Sequence, residues 1–363
     1  MSGESKIGRI VRHFHFDGEF LDAALYGNGH INDTYRACFM QGGAPIFYLL
    51  QRINPSIFKA PAALMENIQR VTSHLAAQFA SEPDCSRRVL SLIPARDGLA
   101  WHVDEEGSYW RAFRFIQNAI TYDTVESAEQ ALQVGSAFGR FQQLLANLPP
   151  PRLHDTIPDF HNTPLRFAAL EQAIAMDDAG RANQARQEID FALARKSIAT
   201  LILDAKLPER VTHNDTKLNN VLLDAATGEG ICVIDLDTVM PGFAPYDFGD
   251  MVRTATSPAM EDERDLSKVA LRLPIFEALL RGYLDATRGF LTKAEKELLV
   301  FSGKLITFEI GIRFLTDFLS GDTYYRVHRT GHNLDRCRTQ FKLVESIERQ
   351  EEEMERMVRS IQE

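Results

Sequence analysis

The sequence contains few cysteines for its length, four among 363 residues. They are Cys38, Cys85, Cys232 and Cys337, which lie far apart without any Cys-x-x-Cys spacing. Because zinc sites and disulfide frameworks need closely or regularly spaced cysteines, neither is expected. We predict that all four are free thiols, either buried or unreactive.

The sequence also lacks an excess of positive charge and a long apolar run. Forty Lys and Arg residues against fifty Asp and Glu residues give a formal net charge of −10 without a basic stripe, so nucleic acid is not an expected partner. The most apolar late stretch, 298–315, contains Lys304, Glu309 and Arg313, too many charges for a bilayer span. The first sixteen residues contain no apolar core of a signal peptide, so we expect a cytoplasmic protein without a membrane partner.

The composition is that of a folded protein, with 45% hydrophobic and 25% charged residues. A chain of this length exceeds one ordinary core, which favours two lobes. Residues 20–53 predict short strands around turns, residues 64–79 carry apolar side chains at helical spacing, and residues 101–103 and 109–115 predict two more strands. This order is typical of an antiparallel α+β lobe.

After Gln117 the pattern becomes mostly helical, so we place an N-terminal lobe at residues 1–117 and a larger C-terminal lobe at residues 118–363. Helices are predicted at 126–148, as a pair within 166–204, from the capping-box pattern at Thr292 towards Leu319, and at 341–361. Short strands are predicted within 211–221 and 231–234.

The residues that suggest chemistry lie in this short β region. The pattern His-x-Asp-x-x-x-x-Asn, from His213 to Asn220, is followed by an apolar strand that ends in Asp235 and Asp237. Phosphoryl transfer to a hydroxyl needs a carboxylate that orients the nucleophile and accepts its proton, as Asp215 can, together with oxygen ligands for a hard cation. The alternative is a turn rich in Asn and Asp before a buried strand, which explains neither the order nor the spacing. We interpret His213 as structural.

Four segments resemble the aminoglycoside phosphotransferase and choline kinase superfamily, whose members have a protein-kinase-like fold, and within it most closely the N-acetylhexosamine 1-kinases. These segments are residues 27–34, 213–220, 234–242 and 246–250. The resemblance implies that Asp215 is the catalytic base and that Asn220 and Asp235 bind Mg²⁺. It implies for Asp237 a second-metal or supporting role, and for Asp247 or Asp250 a structural role in supporting the 213–220 loop. It also implies that the N-terminal lobe binds the nucleotide and that the C-terminal lobe carries out catalysis and binds the substrate.

Near the N-terminus, the turn Gly27-Asn28-Gly29 can bring backbone N–H groups over nucleotide phosphates. The alternative is a plain hairpin turn, since Asn-Gly is typical of one and the third glycine of the kinase loop is absent. In the kinase-like interpretation Arg52 replaces the usual lysine as the phosphate contact, and Glu66 pairs with it. The alternative for Arg52 and Glu66 is two surface charges.

Four side chains are predicted to contact the acceptor: Asn32, Thr238, Arg313 and Tyr324. The last two lie in a segment, 311–325, that resembles the sugar-kinase sequence. There Arg313 can donate hydrogen bonds to hydroxyls or to an acetamido carbonyl, and Tyr324 can pack on the ring. The alternative is that Arg313 forms an i,i+4 salt bridge with Asp317 and that Tyr324 is a core residue.

Together these patterns predict an α+β enzyme with a two-lobed protein-kinase-like fold, which transfers the γ-phosphate of ATP to a small-molecule hydroxyl with Mg²⁺ as cofactor. The predicted acceptor is the anomeric hydroxyl of an N-acetylhexosamine. The alternatives are a kinase for choline or ethanolamine, an aminoglycoside or homoserine, and a non-catalytic nucleotide-binding regulator. The presence of Asp215, Asn220 and Asp235 together speaks against the regulator, and Arg313 speaks against a cationic acceptor.

Overall fold

The computed structural model describes residues 6–27 and 31–362, and it divides into two compact units. The first unit contains residues 1–119, 147–157 and 231–240, and the second contains residues 120–146, 158–230 and 241–363. Neither unit is continuous in sequence. The segments 147–157 and 231–240 lie within the range that the sequence analysis assigns to the C-terminal lobe, and the lobe assignment stays a prediction.

The first unit is built on an antiparallel sheet of five strands in the order β1-β2-β3-β5-β4, with one long helix. Its strands are β1 (Glu19–Leu25), β2 (Asp33–Gln41), β3 (Ala44–Arg52), β4 (His102–Val103) and β5 (Tyr109–Arg114), and its helices are α1 (Lys6–Val11), α2 (Pro61–Gln78) and α3 (Cys85–Arg88). A core of Phe14, Tyr48, Leu50 and Trp110 lies against the sheet. The strands and the long helix that the sequence predicts are confirmed.

The β2–β3 hairpin fixes the register of residues that the sequence analysis singled out. Its two-residue turn consists of Gly42 and Gly43, with φ of 56° and 83°, values that glycine adopts without strain. The turn places Gln41 opposite Ala44, and counting back along the strands places Asp33 opposite Arg52.

The second unit is mostly helical. Its helices are α4 (Ala128–Leu145), α5 (Thr163–Met176), α6 (Arg186–Ala194), α7 (Leu201–Asp204), α8 (Ala244–Ala255), α9 (Leu273–Ala286), α10 (Lys293–Glu297), α11 (Leu299–Leu319) and α12 (His332–Gln362). Short strands β7 (Arg210–Thr212) and β8 (Val221–Asp224) lie within it, and β6 (Ala119–Ile120), β9 (Gly230–Val233) and β10 (Met240–Gly242) lie at the unit boundaries. One of its cores packs Phe167, Phe308, Phe318 and Phe341 between α5, α11 and α12.

Glycines allow α4 and α9 to pack closely. A Cβ at Gly135 would lie 2.2 Å from the carbonyl oxygen of Leu279, so no larger residue fits there. The close contact brings Tyr283 of α9 to Gln142 of α4, and the tyrosine hydroxyl donates to the Gln142 side-chain oxygen at 2.6 Å. Gln142 is thereby oriented towards the loop described below.

Two local predictions need correction. The strand predicted over 211–221 ends at Thr212, because the chain turns at Asn214 and then forms a short 3₁₀ helix, Leu218–Asn220, before β8. The capping box of Thr292 and Glu295 is confirmed, but it begins the short α10, and α11 follows after a break at Leu298.

The four cysteines are free, as predicted, with two buried and two half-buried. Across the described ranges of the chain, the helices are too short or too polar to cross a membrane.

Candidate active site

The loop at residues 213–220 follows β7 and contains the His-x-Asp pattern. Asn214 has a φ of 64°, which non-glycine residues adopt rarely and at an energetic cost. The Asp247 carboxylate, in the first turn of α8, accepts hydrogen bonds from the backbone N–H groups of His213 (2.8 Å) and Asn214 (2.7 Å) and from the side-chain amide of Gln142 (2.6 Å). Burial raises the pKa of Asp247, and its hydrogen bonds oppose that rise only in part. A long-range contact thus stabilises the shape of the loop.

His213 has a structural place in this loop. It is fully buried, and its ring lies 5.3 Å from that of Phe138 and 5.8 Å from that of Phe141. Its Nδ1 accepts a hydrogen bond from the backbone N–H of Asp215 at 3.3 Å, so that nitrogen carries no proton. The ring therefore stabilises the backbone next to Asp215.

Asp215 and Lys217 form a close ion pair. The two carboxylate oxygens lie 2.8 Å and 3.1 Å from Nζ of Lys217, and the Asp215 side chain is 23% exposed. Burial alone would raise the pKa of Asp215, but the charge and hydrogen bond of Lys217 outweigh it and hold the pKa below its ordinary value. For Lys217 burial likewise opposes ionisation, and Asp215 raises the pKa above the usual range. Asp215 is therefore an ionised hydrogen-bond acceptor.

Asn220 closes the same loop. Its side-chain N–H group donates to the backbone carbonyl of Asp215 at 2.8 Å and to the Asp215 carboxylate at 3.3 Å. Its Oδ1 accepts no hydrogen bond from any residue within 6–27 and 31–362, which leaves an amide oxygen for a ligand. The Asn220 amide is therefore oriented by Asp215, the residue whose chemistry Asn220 is predicted to assist.

Asp235 begins a second feature, the 234–240 segment that follows β9. Its φ is 59°, and its side chain is exposed at the start of a 3₁₀ helix, Leu236–Thr238. A carboxylate oxygen such as that of Asp235 suits Mg²⁺, which binds one or two protein oxygens together with substrate phosphates, and the predicted sharing of the ion with Asn220 stays a prediction. A cluster of three or more His, Cys, Asp or Glu that could hold a metal does not occur in the described part of the chain, and such a nucleotide-linked site does not need one.

The Asp237 carboxylate is already bound inside the first unit. It is 3% exposed and accepts a two-pronged contact from the guanidinium of Arg111, 2% exposed, whose Nη2 lies 3.0 Å from Oδ2. Asn32 donates to the same oxygen at 2.6 Å, and its own side-chain oxygen accepts the Asn54 N–H at 3.0 Å. These contacts favour the supporting role for Asp237 over the second-metal role. They also occupy the Asn32 amide that was predicted to contact the acceptor, and Thr238 is 8% exposed.

The predicted ion pair between Arg52 and Glu66 is not formed. Because the strand register places Asp33 opposite Arg52, the Asp33 carboxylate accepts the Arg52 Nε–H at 2.8 Å. The Glu66 carboxylate instead lies 2.9 Å from Nε2 of His154. Arg52 and Asp33 are about half exposed, at 44% and 45% of their side chains, so a phosphate contact by Arg52 stays a prediction.

The predicted phosphate turn is described only at its first residue. Gly27 has a φ of 77°, a value that suits a turn glycine. Asn28 and Gly29 lie outside the described residues, so the predicted contact of this turn with nucleotide phosphates stays a prediction.

Arg313 and Tyr324 lie in an arginine- and aromatic-rich part of the second unit. The Arg313 guanidinium is 5.4 Å from the ring centroid of Phe160, and no carboxylate of the described residues lies within ion-pair distance of it. The alternative salt bridge to Asp317 is wrong, because that carboxylate accepts the backbone N–H groups of residues 323–325. Tyr324 is 56% exposed, so it is not a core residue. Burial and the charge of Arg313 together lower the pKa of Arg166.

Sequence reasoning missed three of these residues. Lys217 lies inside the motif, and its position two residues after Asp215 was the available signal. Arg111 is a charge in the middle of strand β5 with apolar residues on both sides, a pattern that indicates a buried ion pair. Arg166 has no local signal, because only tertiary packing brings α5 to α11.

Comparison with known proteins shows the family and the fold of the chain. The model of the phosphotransferase enzyme family matches residues 22–289, and the chain belongs to this family. The antiparallel sheet unit and the larger helical unit have the protein-kinase-like fold predicted from the sequence.

Solved structures share this fold at low sequence identity. An aminoglycoside phosphotransferase from Alicyclobacillus acidocaldarius has a TM-score of 0.59 at 13% identity, covering 98% of this chain and 94% of its own. A microcompartment-associated aminopropanol kinase has a TM-score of 0.57 at 16% identity, covering 95% and 97%. A spectinomycin phosphotransferase, solved with ADP and spectinomycin, has a TM-score of 0.56 at 12% identity, covering 92% and 95%.

Proposed function

We propose that this protein is a small-molecule kinase that transfers the γ-phosphate of ATP to a hydroxyl group of its acceptor. The observation that carries the proposal is the 213–220 loop, in which the carboxylate of Asp215 is kept ionised by Lys217 and lies against the Asn220 amide. Family membership supports the same reaction class. In the proposed reaction Asp215 accepts a hydrogen bond from the acceptor hydroxyl, orients it for in-line attack and takes its proton.

The proposed cofactor is Mg²⁺, held by the side-chain oxygens of Asn220 and Asp235. A bound Mg²⁺ neutralises the charge of the nucleotide phosphates. We propose that the guanidinium of Arg52 contacts the phosphates. The phosphates would then replace the half-exposed carboxylate of Asp33 as the partner of Arg52. Gly27, Asn28 and Gly29 are proposed to approach the phosphates through their backbone.

The proposed acceptor is an N-acetylhexosamine, phosphorylated at its anomeric hydroxyl. The guanidinium of Arg313, which has no carboxylate partner among the described residues, can donate to sugar hydroxyls or to the acetamido carbonyl. The exposed ring of Tyr324 can pack on a sugar face. The nearby charge of Arg166 disfavours a cationic acceptor by like-charge repulsion.

The second candidate is a cationic amino alcohol or aminoglycoside. The aminopropanol kinase and the two antibiotic phosphotransferases are named after acceptors of this class. The aromatic rings of Phe160, Tyr324 and Tyr325 favour it, since aromatic faces bind ammonium groups. Two of these rings already lie within 6 Å of the Arg313 guanidinium, which favours the neutral sugar.

The test is Mg²⁺-dependent ADP release from ATP with N-acetylglucosamine, N-acetylgalactosamine, choline, homoserine and kanamycin as separate acceptors. We expect turnover with an N-acetylhexosamine, and a product in which NMR shows phosphorus coupled to the anomeric proton. Turnover with choline or kanamycin alone would reject the sugar in favour of the second candidate. ATP binding without turnover on any acceptor would indicate the regulator.

The matched control in this assay is Asp215→Ala. We expect a loss of turnover of at least about a thousandfold, because the variant cannot orient the hydroxyl or take its proton. Nucleotide binding, measured by calorimetry, should remain close to that of the unmodified protein. Turnover like that of the unmodified protein would reject Asp215 as the base.

A further inference from the structure

A buried histidine outside the sequence motif contacts the 213–220 loop. His161 is 8% exposed, and its Nε2 lies 3.2 Å from the backbone carbonyl oxygen of Asn214. Its Nδ1 lies 2.9 Å from a carboxylate oxygen of Glu309, a fully buried residue of α11. The second oxygen of Glu309 accepts the hydroxyl of Thr163, at the start of α5, at 2.6 Å. Two helices are therefore joined to the loop through one imidazole.

The hydrogen-bond partners determine where the protons lie. A backbone carbonyl only accepts, so Nε2 of His161 donates to Asn214. Burial opposes ionisation of Glu309, but the charges of His161 and Arg313 outweigh it and hold the pKa of Glu309 below its ordinary value. The imidazole of His161 is thus held between the Asn214 carbonyl on one side and the Glu309 carboxylate on the other.

The contact falls on the peptide that carries Asp215. The carbonyl of Asn214 and the N–H of Asp215 belong to the same peptide group, which is planar and rotates as one unit. His161 binds its carbonyl and His213 binds its N–H, at 3.2 Å and 3.3 Å. On the preceding side, the N–H of Asn214 is bound by Asp247. Rotation of this peptide would move the Asp215 side chain, and these three contacts oppose it.

We propose that His161 is a positioning residue for Asp215: held by Glu309, its ring binds the carbonyl of Asn214 and keeps the peptide between Asn214 and Asp215 in the orientation needed for phosphoryl transfer. The catalytic part of this inference rests on the function proposed above. The loop-holding part does not, because it concerns the structure of residues 213–220 alone.

The experiment compares Glu309→Gln with the double variant His161→Ala/Glu309→Gln. In the single variant a neutral His161 can still donate Nε2–H to Asn214 and accept the glutamine amide at Nδ1, so the contact is kept. In the double variant the donor is lost, and no buried carboxylate is left without a partner. The comparison therefore isolates the histidine from the cost of an unpaired buried charge.

Two quantities are measured on both variants. We expect kcat of the double variant to fall at least about tenfold below that of Glu309→Gln, with KM for ATP and acceptor within roughly threefold, because a small misplacement of a reacting group acts on the chemical step. We also expect faster hydrogen–deuterium exchange, by mass spectrometry, of the peptide that spans residues 213–220.

The matched control is His332→Ala/Asp262→Asn. His332 is also buried, 3% exposed, and its Nε2 lies 3.0 Å from the Asp262 carboxylate, while its other nitrogen accepts the His328 backbone N–H. These partners lie outside the 213–220 loop, so neither kcat nor exchange of that loop should change.

Unchanged exchange in the double variant overturns the proposal, and so does faster exchange with unchanged kcat or a loss confined to KM. If the unmodified protein phosphorylates none of the acceptors, the proposed function fails by itself. Exchange of the loop then decides on His161 alone, where a faster rate supports the contact and an unchanged rate rejects it.

Discussion

The 213–220 loop and the 234–240 segment each contain a non-glycine residue with positive φ, Asn214 at 64° and Asp235 at 59°. The loop is stabilised by a buried carboxylate, Asp247, which accepts backbone N–H groups. The segment is stabilised by a buried guanidinium, Arg111, which binds the side chain of Asp237. In the loop, a carboxylate interacts with the dipoles of backbone N–H groups. In the segment, a charged guanidinium interacts with a charged carboxylate.

This difference has an energetic consequence. When one partner of a buried ion pair is removed, the other remains as an unpaired charge, which costs more than a lost hydrogen bond. When a carboxylate that binds backbone N–H groups is made neutral, an oxygen acceptor remains. The segment should therefore be more sensitive than the loop to substitution of its buried stabilising residue.

The largest expected effect is that of Arg111→Met. We expect the free energy of unfolding, measured with urea, to fall by about 3–5 kcal/mol, because Asp237 stays buried without its cation. Adding Asp237→Asn should recover part of that loss, since it removes the unpaired charge. A loss below about 1 kcal/mol, or no recovery in the double variant, would contradict the assignment of Arg111 and Asp237 as a stabilising pair.

A smaller effect is expected for Asp247→Asn. One amide oxygen can still accept backbone N–H groups, but the amide nitrogen then faces donors, so we expect a loss of about 1–3 kcal/mol in the same urea measurement. We also expect kcat to fall more than KM, because the loop carries Asp215. A stability loss larger than that of Arg111→Met would reverse the comparison.

The smallest effect is a shift of the pH profile in Lys217→Met. Lys217 holds the pKa of Asp215 below its ordinary value, so its removal should raise that pKa. Since protonated Asp215 cannot accept the hydroxyl proton, the acidic limb of kcat/KM should move to higher pH. Lys217→Arg, which keeps the charge, should leave the limb in place. An unmoved limb in Lys217→Met would show that another group sets it.

Much of the fold was predictable from local pattern. Alternation and turn residues predicted the strands of the first unit, and helical spacing predicted α2 and α4. The hairpin turn also contained the register that pairs Asp33 with Arg52, although kinase-like reasoning assigned Glu66 as the partner instead. The strand register therefore determined that Arg52 pairs with Asp33 and not with Glu66.

The candidate site was predictable only in part. The order Asp215, Asn220, Asp235 is a linear pattern, so the chain itself displays it. The resemblance also implied that Asp247 or Asp250 supports the loop. His161 binds the carbonyl of Asn214 from 53 positions away, and Arg111 binds Asp237 across 126 positions, and no local periodicity reports either contact. Their roles depend on which helices and strands pack together.

The sequence by itself indicated the reaction class. Its polar residues from His213 to Asp235 stand at a defined spacing in one short region of the chain, and that region resembles a kinase superfamily. Only the tertiary structure decided how those residues are held. Asp247 and His161 orient the peptide before Asp215, and Arg111 takes up the charge of Asp237. The physical reason is that a buried polar group must find its partner wherever packing places one, and that place is not written in the neighbouring residues.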